Sequence, residues 1–129
     1  MRSDSVFSGL RVIDCASFIA APAAATVLGD FGADVVKVEP PGAGDAYRNL
    51  GALPGLPDSP HDYAWLLTGR NKRSLALDLK AEEGRAVLWR LLTGADVFME
   101  GFRPGVIKRL GFGYEAVAEK HPRILYLSM

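Results

Sequence analysis

Cysteine is almost missing from this sequence: Cys15 is the single thiol in 129 residues. One cysteine closes no intrachain disulfide and builds no thiolate zinc or iron–sulfur cage, so a reducing, cytoplasmic setting is the expectation. Histidine is scarce as well. His61 and His121 are the two present, too far apart in sequence to read as a metal pair, and no metal is expected. Net charge is lacking too: fifteen Lys and Arg offset fifteen Asp and Glu, which argues against a general nucleic-acid binder. The signatures GxGxxG, GxxxxGKS/T, HExxH and GxSxG do not occur, so the common dinucleotide, phosphate-loop, zinc-protease and serine-hydrolase motifs are excluded. Long apolar runs are also wanting. The stretch from Cys15 to Gly29 is shorter than the ~20 residues of a membrane span, is broken by Pro22 and directly follows Asp14. Neither a membrane anchor nor a signal peptide is read from it.

What is present suits a folded domain. Hydrophobic residues make up 49% of the chain, enough for a packed core in one modest domain. The zero net charge conceals a segregation. Residues 1–68 carry four basic and eight acidic side chains, whereas residues 69–109 carry nine basic and five acidic ones. A localised positive segment in a neutral chain suits a small polyanionic ligand; a solvated basic face is the alternative.

Along the chain, LRVID (Leu10–Asp14) reads as a strand, and Pro22 followed by AAATVLGDF as a helix stopped by Gly32. VVKV (Val35–Val38) follows at once as a second strand, which makes a right-handed βαβ unit and a parallel sheet. Residues 39–69 are rich in Pro and Gly, without a sustained period. A segment this long without an element is a functional loop or a crossing segment, with a short helix at Tyr63–Leu67. SLALDL (Ser74–Leu79) alternates as a strand. Ala81–Leu92 has helical periodicity and stops at Gly94, and Asp96–Glu100 is the next strand. Short helices at Pro104–Leu110 and Tyr114–Lys120 lead to a final strand, ILYLSM (Ile124–Met129). So apolar a strand belongs inside a sheet. Residues 1–9 are expected to be a flexible lead, and residues 10–129 the N-terminal portion of a larger α/β protein.

Three segments carry the chemistry. The first is SFIAA (Ser17–Ala21), between the first strand and a helix start, where parallel sheets bind ligands. The second is GRNKRSLALDLK (Gly69–Lys80), with Arg70, Lys72, Arg73 and Lys80. The third is EGFRPGVIKRLG (Glu100–Gly111), with Arg103, Lys108 and Arg109 beside Phe102. Basic side chains suit phosphates and Phe102 suits a flat base; from the residues alone, a solvated basic face with Phe102 in the core is an equal alternative. Asp14, at a strand end, either faces a ligand or caps the turn, and Cys15 reads as a small core hydrophobe.

In these blocks the sequence resembles the family III CoA-transferases, the group that includes formyl-CoA transferase, carnitine CoA-transferase and α-methylacyl-CoA racemase. The likeness runs from Leu10 to Met129 through LRVIDCASFIAAPAAATVLGDFGADVVKVEPPGAGDAYR, GRNKRSLALDLKAEEGR, ADVFMEGFRPGVIKRLGFGYE and HPRILYLSM. The resemblance implies a Rossmann-like parallel sheet with flanking helices, in the large domain of an interlocked homodimer. It implies transfer of CoA between an acyl-CoA thioester and a carboxylic acid through an aspartyl-CoA intermediate, or proton transfer beside the thioester in the racemase branch. The catalytic Asp is expected beyond Met129. The CoA-binding positions carried over are Ser17, Phe18, Ile19 and Ala20 for the pantetheine and active-site loop. For adenine and phosphate they are Leu77, Lys80, Gly101, Phe102, Arg103 and Arg109. Pro40 departs from members that have a CoA-contacting Arg there. Ile19, where oxalate-using members tend to have Gln, points to a less polar acyl acid. A long connection over residues 44–68 favours the transferase branch.

Overall fold

The β-branched runs RVIDC and DVVKVE lie side by side at the centre of a parallel sheet, where both faces are covered and a near-continuous apolar strand is what burial demands. The computed structural model describes residues 5–52, 54–55 and 57–129. In chain order the elements are β1 (Arg11–Cys15), α1 (Ala20–Asp30), β2 (Asp34–Glu39), a 3-10 helix (Ala46–Ala52), α2 (Tyr63–Gly69), β3 (Lys72–Ala76) and α3 (Glu82–Leu92). They continue with β4 (Val97–Glu100), α4 (Val106–Arg109), α5 (Tyr114–Lys120) and β5 (Leu125–Ser128). The strands are ordered β3-β2-β1-β4-β5, every neighbouring pair parallel. The path runs outward from β1 through β2 to β3, then returns to start again at β4. That reversal is the switch point of a doubly wound, Rossmann-like sheet, and it lies between β1 and β4.

Alternation along the strands splits the core in two. Val12, Val35, Val97 and Met99 face α1 and pack on Ala21 and Ala25. Ile13, Val36, Val38 and Phe98 face the other way, onto Leu88 and Leu92 of α3, Ile107 of α4 and Val117 of α5. No described helix is long and apolar enough to cross a membrane.

Several boundaries differ from the sequence reading. α1 starts at Ala20, because Pro22 is tolerated anywhere in a first turn whose N–H groups have no helical partner. β3 spans Lys72–Ala76 rather than Ser74–Leu79, since its register against β2 runs from Val35–Lys72 to Glu39–Ala76 and residues 77–81 then leave the sheet. The aperiodic segment holds a 3-10 helix over Ala46–Ala52. Among the described residues β5 is not interior: it pairs with β4 alone and forms a sheet edge, with Leu125 67% exposed. Of the expected N-terminal lead, residues 1–4 lie outside the described residues. Residues 5–9 form a turn, and the Phe7 N–H donates to the Phe31 carbonyl at 3.0 Å.

Candidate functional site

A cavity of about 270 Å³ opens where β1, β2 and β4 end and where the chain turns after β3. Its walls come from four connections: Cys15 and Ser17 after β1, Val38 to Pro40 after β2, Leu77 to Lys80 after β3, and Phe102, Val106 and Leu110 after β4. This is the crevice at the carboxyl ends of the strands, beside the switch point, where doubly wound sheets take their ligands. The wall is largely apolar, with one ammonium group, Lys80, at its rim. Burial, aided by the Asp14 charge, pushes the Cys15 thiol up to about 12, so it serves as apolar floor and not as a thiolate.

The turn after β3 is tightly built. The Leu77 N–H donates to the Glu39 carbonyl at 2.9 Å, and the Lys80 N–H to Asp78 Oδ1 at 2.9 Å. Arg85 Nη1 reaches back to the Lys80 carbonyl at 2.7 Å. Gly84 makes this possible, because a Cβ there would collide with the Asp78 carbonyl. Across the crevice Gly101 follows β4, and a Cβ on it would lie 3.2 Å from the Ala16 side chain, so β1 and β4 end in close approach.

Of the expected site residues, Ser17, Leu77, Lys80 and Phe102 line this cavity together. Phe18 and Ile19 form the exposed loop leading into α1 and Ala20 opens that helix, all three exposed and outside the cavity wall. Gly101 and Arg103 flank Phe102 on the exposed turn after β4, and Arg109 ends α4, also exposed. Pro40 lies in the wall.

Sequence reasoning picked out Asp14, as a ligand-facing group or a turn cap, and missed the other buried charges at this end of the sheet. Asp14, Lys37, Asp45, Glu39 and Glu100 are all buried. Lys37 Nζ meets Asp45 Oδ2 at 2.8 Å and Asp14 Oδ2 at 3.8 Å, and Lys72 Nζ meets Asp14 Oδ2 at 2.9 Å. Asp14 also accepts the Ala16 N–H at 3.2 Å, so its carboxylate caps the turn and pairs with lysine rather than facing the cavity. Burial pulls Lys72 below the ordinary lysine range, against the opposing pull of Asp14. On the opposite face, Glu100 accepts the Phe102 N–H at 2.9 Å and the Ser128 hydroxyl, which fixes the turn carrying Gly101 and Phe102. A charged residue inside an otherwise apolar strand (Lys37 in VVKVE, Glu100 in VFME) is the signal that was available.

The basic segment is partly spent within the fold. Arg70 pairs with Asp30 at 2.6 Å, Arg73 with Asp34 at 2.7 Å, and Lys72 with Asp14. These are the acidic side chains of the first half answering the basic ones of the second, so the cluster expected around Gly69–Lys80 reduces to Lys80. Among the described residues, Lys80, Arg103, Lys108 and Arg109 make no ion pair.

The sequence profile described as CoA-transferase family III matches residues 7–129. Among curated proteins, the chain is 45% identical over 120 residues to a succinyl-CoA–L-malate CoA-transferase beta subunit of Chloroflexus aurantiacus, covering 93% of this chain and 29% of that one. It is 43% identical over 122 residues to an acetyl-CoA:oxalate CoA-transferase of Acetobacter aceti, covering 95% of this chain and 30% of the relative. Among solved structures, a CaiB/BaiF family protein from Brucella suis superposes with a TM-score of 0.85 at 35% identity, over 96% of this chain and 33% of its own. The chain thus spans about three-tenths of the length of the curated relatives it matches.

Proposed function

The chain belongs to CoA-transferase family III, and from that premise we propose that residues 10–129 form the CoA-binding part of a protein that moves CoA between an acyl-CoA thioester and a carboxylic acid. The observation that carries this reading is the crevice itself, an apolar slot at the switch point with an ammonium group at its rim and basic side chains beside it. In this reading Leu77 and Phe102 hold the adenine between them, an arrangement suited to a flat ring that offers apolar faces. Lys80, Arg103 and Arg109 take the phosphates. The Ser17–Ala20 loop receives the pantetheine arm and the thioester end.

In the family's chemistry a carboxylate oxygen attacks the thioester carbonyl and the CoA thiolate leaves. The thiolate then attacks the aspartyl carbonyl of the resulting mixed anhydride, releasing the acid and leaving an aspartyl thioester. None of the buried carboxylates described here is proposed as that nucleophile. Asp14 and Asp45 are committed to lysines and backbone amides, and Glu39 to Arg48. Asp78 accepts the Lys80 N–H within its own turn. The protein that contains this chain is proposed to act as a homodimer, in keeping with the resemblance.

Calorimetric titration of CoA and of dephospho-CoA tests the reading. CoA is expected to bind more tightly than dephospho-CoA, and Lys80→Ala and Arg109→Ala are each expected to weaken CoA about tenfold, as loss of one charge-assisted contact does. A folded chain that binds no CoA, or variants that bind as well as the parent, would overturn it.

A further inference from the structure

Lys37 and Asp45 are buried to within 1% of full exclusion from solvent, and neither lines the cavity. What they grip is the connection between β1 and α1. Lys37 Nζ donates to the Ala16 carbonyl, while Asp45 Oδ1 accepts the Phe18 N–H at 3.3 Å and the Tyr47 N–H at 2.9 Å. Ser17 is therefore held from both sides. The Ala16 N–H is taken as well, by Asp14 Oδ1 at 3.2 Å. Asp45 is anchored in turn, because its own N–H donates to Glu39 Oε2 at 2.9 Å.

The loop needs such a hold. Phe18 has φ of 66°, a left-handed conformation that a bulky side chain does not adopt without constraint. Its side chain is 50% exposed and that of Ile19 54% exposed, so burial of these side chains does not fix the backbone. Buried charged hydrogen bonds behind the loop do.

We propose that the Lys37–Asp45 pair is a positioning clamp, which sets the backbone of Ser17 to Ile19 to receive the thioester end of a bound acyl-CoA. The proposal rests on the CoA reading above and deepens it. Neither side chain touches the ligand. A loop fixed from behind presents its exposed face without reordering on binding, and the affinity saved is that of a pre-organised segment. A pair that merely supported the fold would instead affect every ligand of the crevice alike.

Two ligands separate these cases: CoA, which reaches the loop, and adenosine 3′,5′-bisphosphate, which ends at the basic side chains. Asp45→Ala is expected to weaken CoA about tenfold and leave the bisphosphate within about twofold. Asp45→Asn keeps an oxygen for the Phe18 amide and is expected to recover part of the loss. Hydrogen exchange is read on the same proteins. The Phe18 and Tyr47 amides should exchange faster in Asp45→Ala, while those of Val12 to Asp14 stay protected. Equal losses for the two ligands, or unchanged exchange at Phe18, would overturn the proposal. Should Asp45→Ala not fold, the comparison is made on Asp45→Asn, where the same CoA-only loss is expected at smaller size and equal losses again overturn the clamp. Should the parent chain bind neither ligand, the CoA reading fails by itself. The clamp is then decided by exchange: faster exchange confined to residues 17–19 and 45–47 supports it, and unchanged exchange refutes it.

Discussion

Glu39 keeps its charge inside the protein because donors surround it. Arg48 gives two hydrogen bonds of 2.7 Å, the Asp45 amide one of 2.9 Å and Ser74 one of 2.8 Å. Burial works against this carboxylate, but the Arg48, Asp45 and Ser74 hydrogen bonds outweigh it and hold its pKa at about 2, against an ordinary 4.5. The folded state therefore binds fewer protons here than the unfolded state, and stability rises with pH across that interval. Denaturant unfolding should show the Glu39 contribution intact above pH 4.5 and lost progressively towards pH 2. A Glu39→Gln variant should flatten that part of the profile; an unchanged acid limb would count against the assignment. At this scale the sequence was least informative. A lysine or glutamate inside an apolar strand signals a buried charge but does not name its partner, and only the three-dimensional meeting of Lys37 with Asp45, or of Glu39 with Arg48, sustains its burial. Lys80 and Phe102, singled out in the sequence as a charge and a ring, both line the crevice, and their place there follows from local signals without knowledge of any partner.

The strands and helices were legible in type and order, because glycine stops and apolar periods are local signals. Gly32 and Gly94 do end the helices they follow, one turn residue or so beyond the last helical position. What periodicity does not contain is pairing. SLALDL alternates well enough to be a strand throughout, yet the register with β2 ends β3 at Ala76 and turns Leu77 and Lys80 into cavity wall. Gly84 at the start of α3 is the hinge of that arrangement. Gly84→Ala would press its methyl against the Asp78 carbonyl, backbone that has no rotamer with which to yield. It should cost about 1–3 kcal/mol of stability, the range for overpacking, and displace the turn that carries Lys80. Denaturant midpoints combined with CoA affinity check it; a variant as stable as the parent would show that the turn gives way freely. The sheet makes a second contrast. Phe98→Ala, at a fully buried site, should cost about 3–5 kcal/mol. Leu125→Ser on the exposed edge should stay within about 0.5 kcal/mol in this chain. A large loss at Leu125 would mean that β5 is covered in solution.

Over the whole molecule, the charge segregation is partly answered within the fold. Acidic side chains of the first half meet Arg70, Lys72 and Arg73 across the β2–β3 side of the sheet, and the basic side chains left without an ion pair among the described residues include Lys80 after β3 and Arg103, Lys108 and Arg109 after β4. Composition alone reported an excess over residues 69–109 and could not tell which part of it was spent. Fold placement then does the rest: four connections converge at one end of the sheet, and the residues expected to bind a ligand come from three of them. The proposed function stands on that convergence being a CoA site. The most direct test is a CoA titration of the 129-residue chain followed amide by amide by NMR. Shifts are expected to concentrate at residues 15–20, 77–80 and 101–109, with the far end of the sheet unmoved. Shifts centred instead on residues 93–96 and 120–124, where a separate cavity lies, or no shifts from a folded chain, would contradict it.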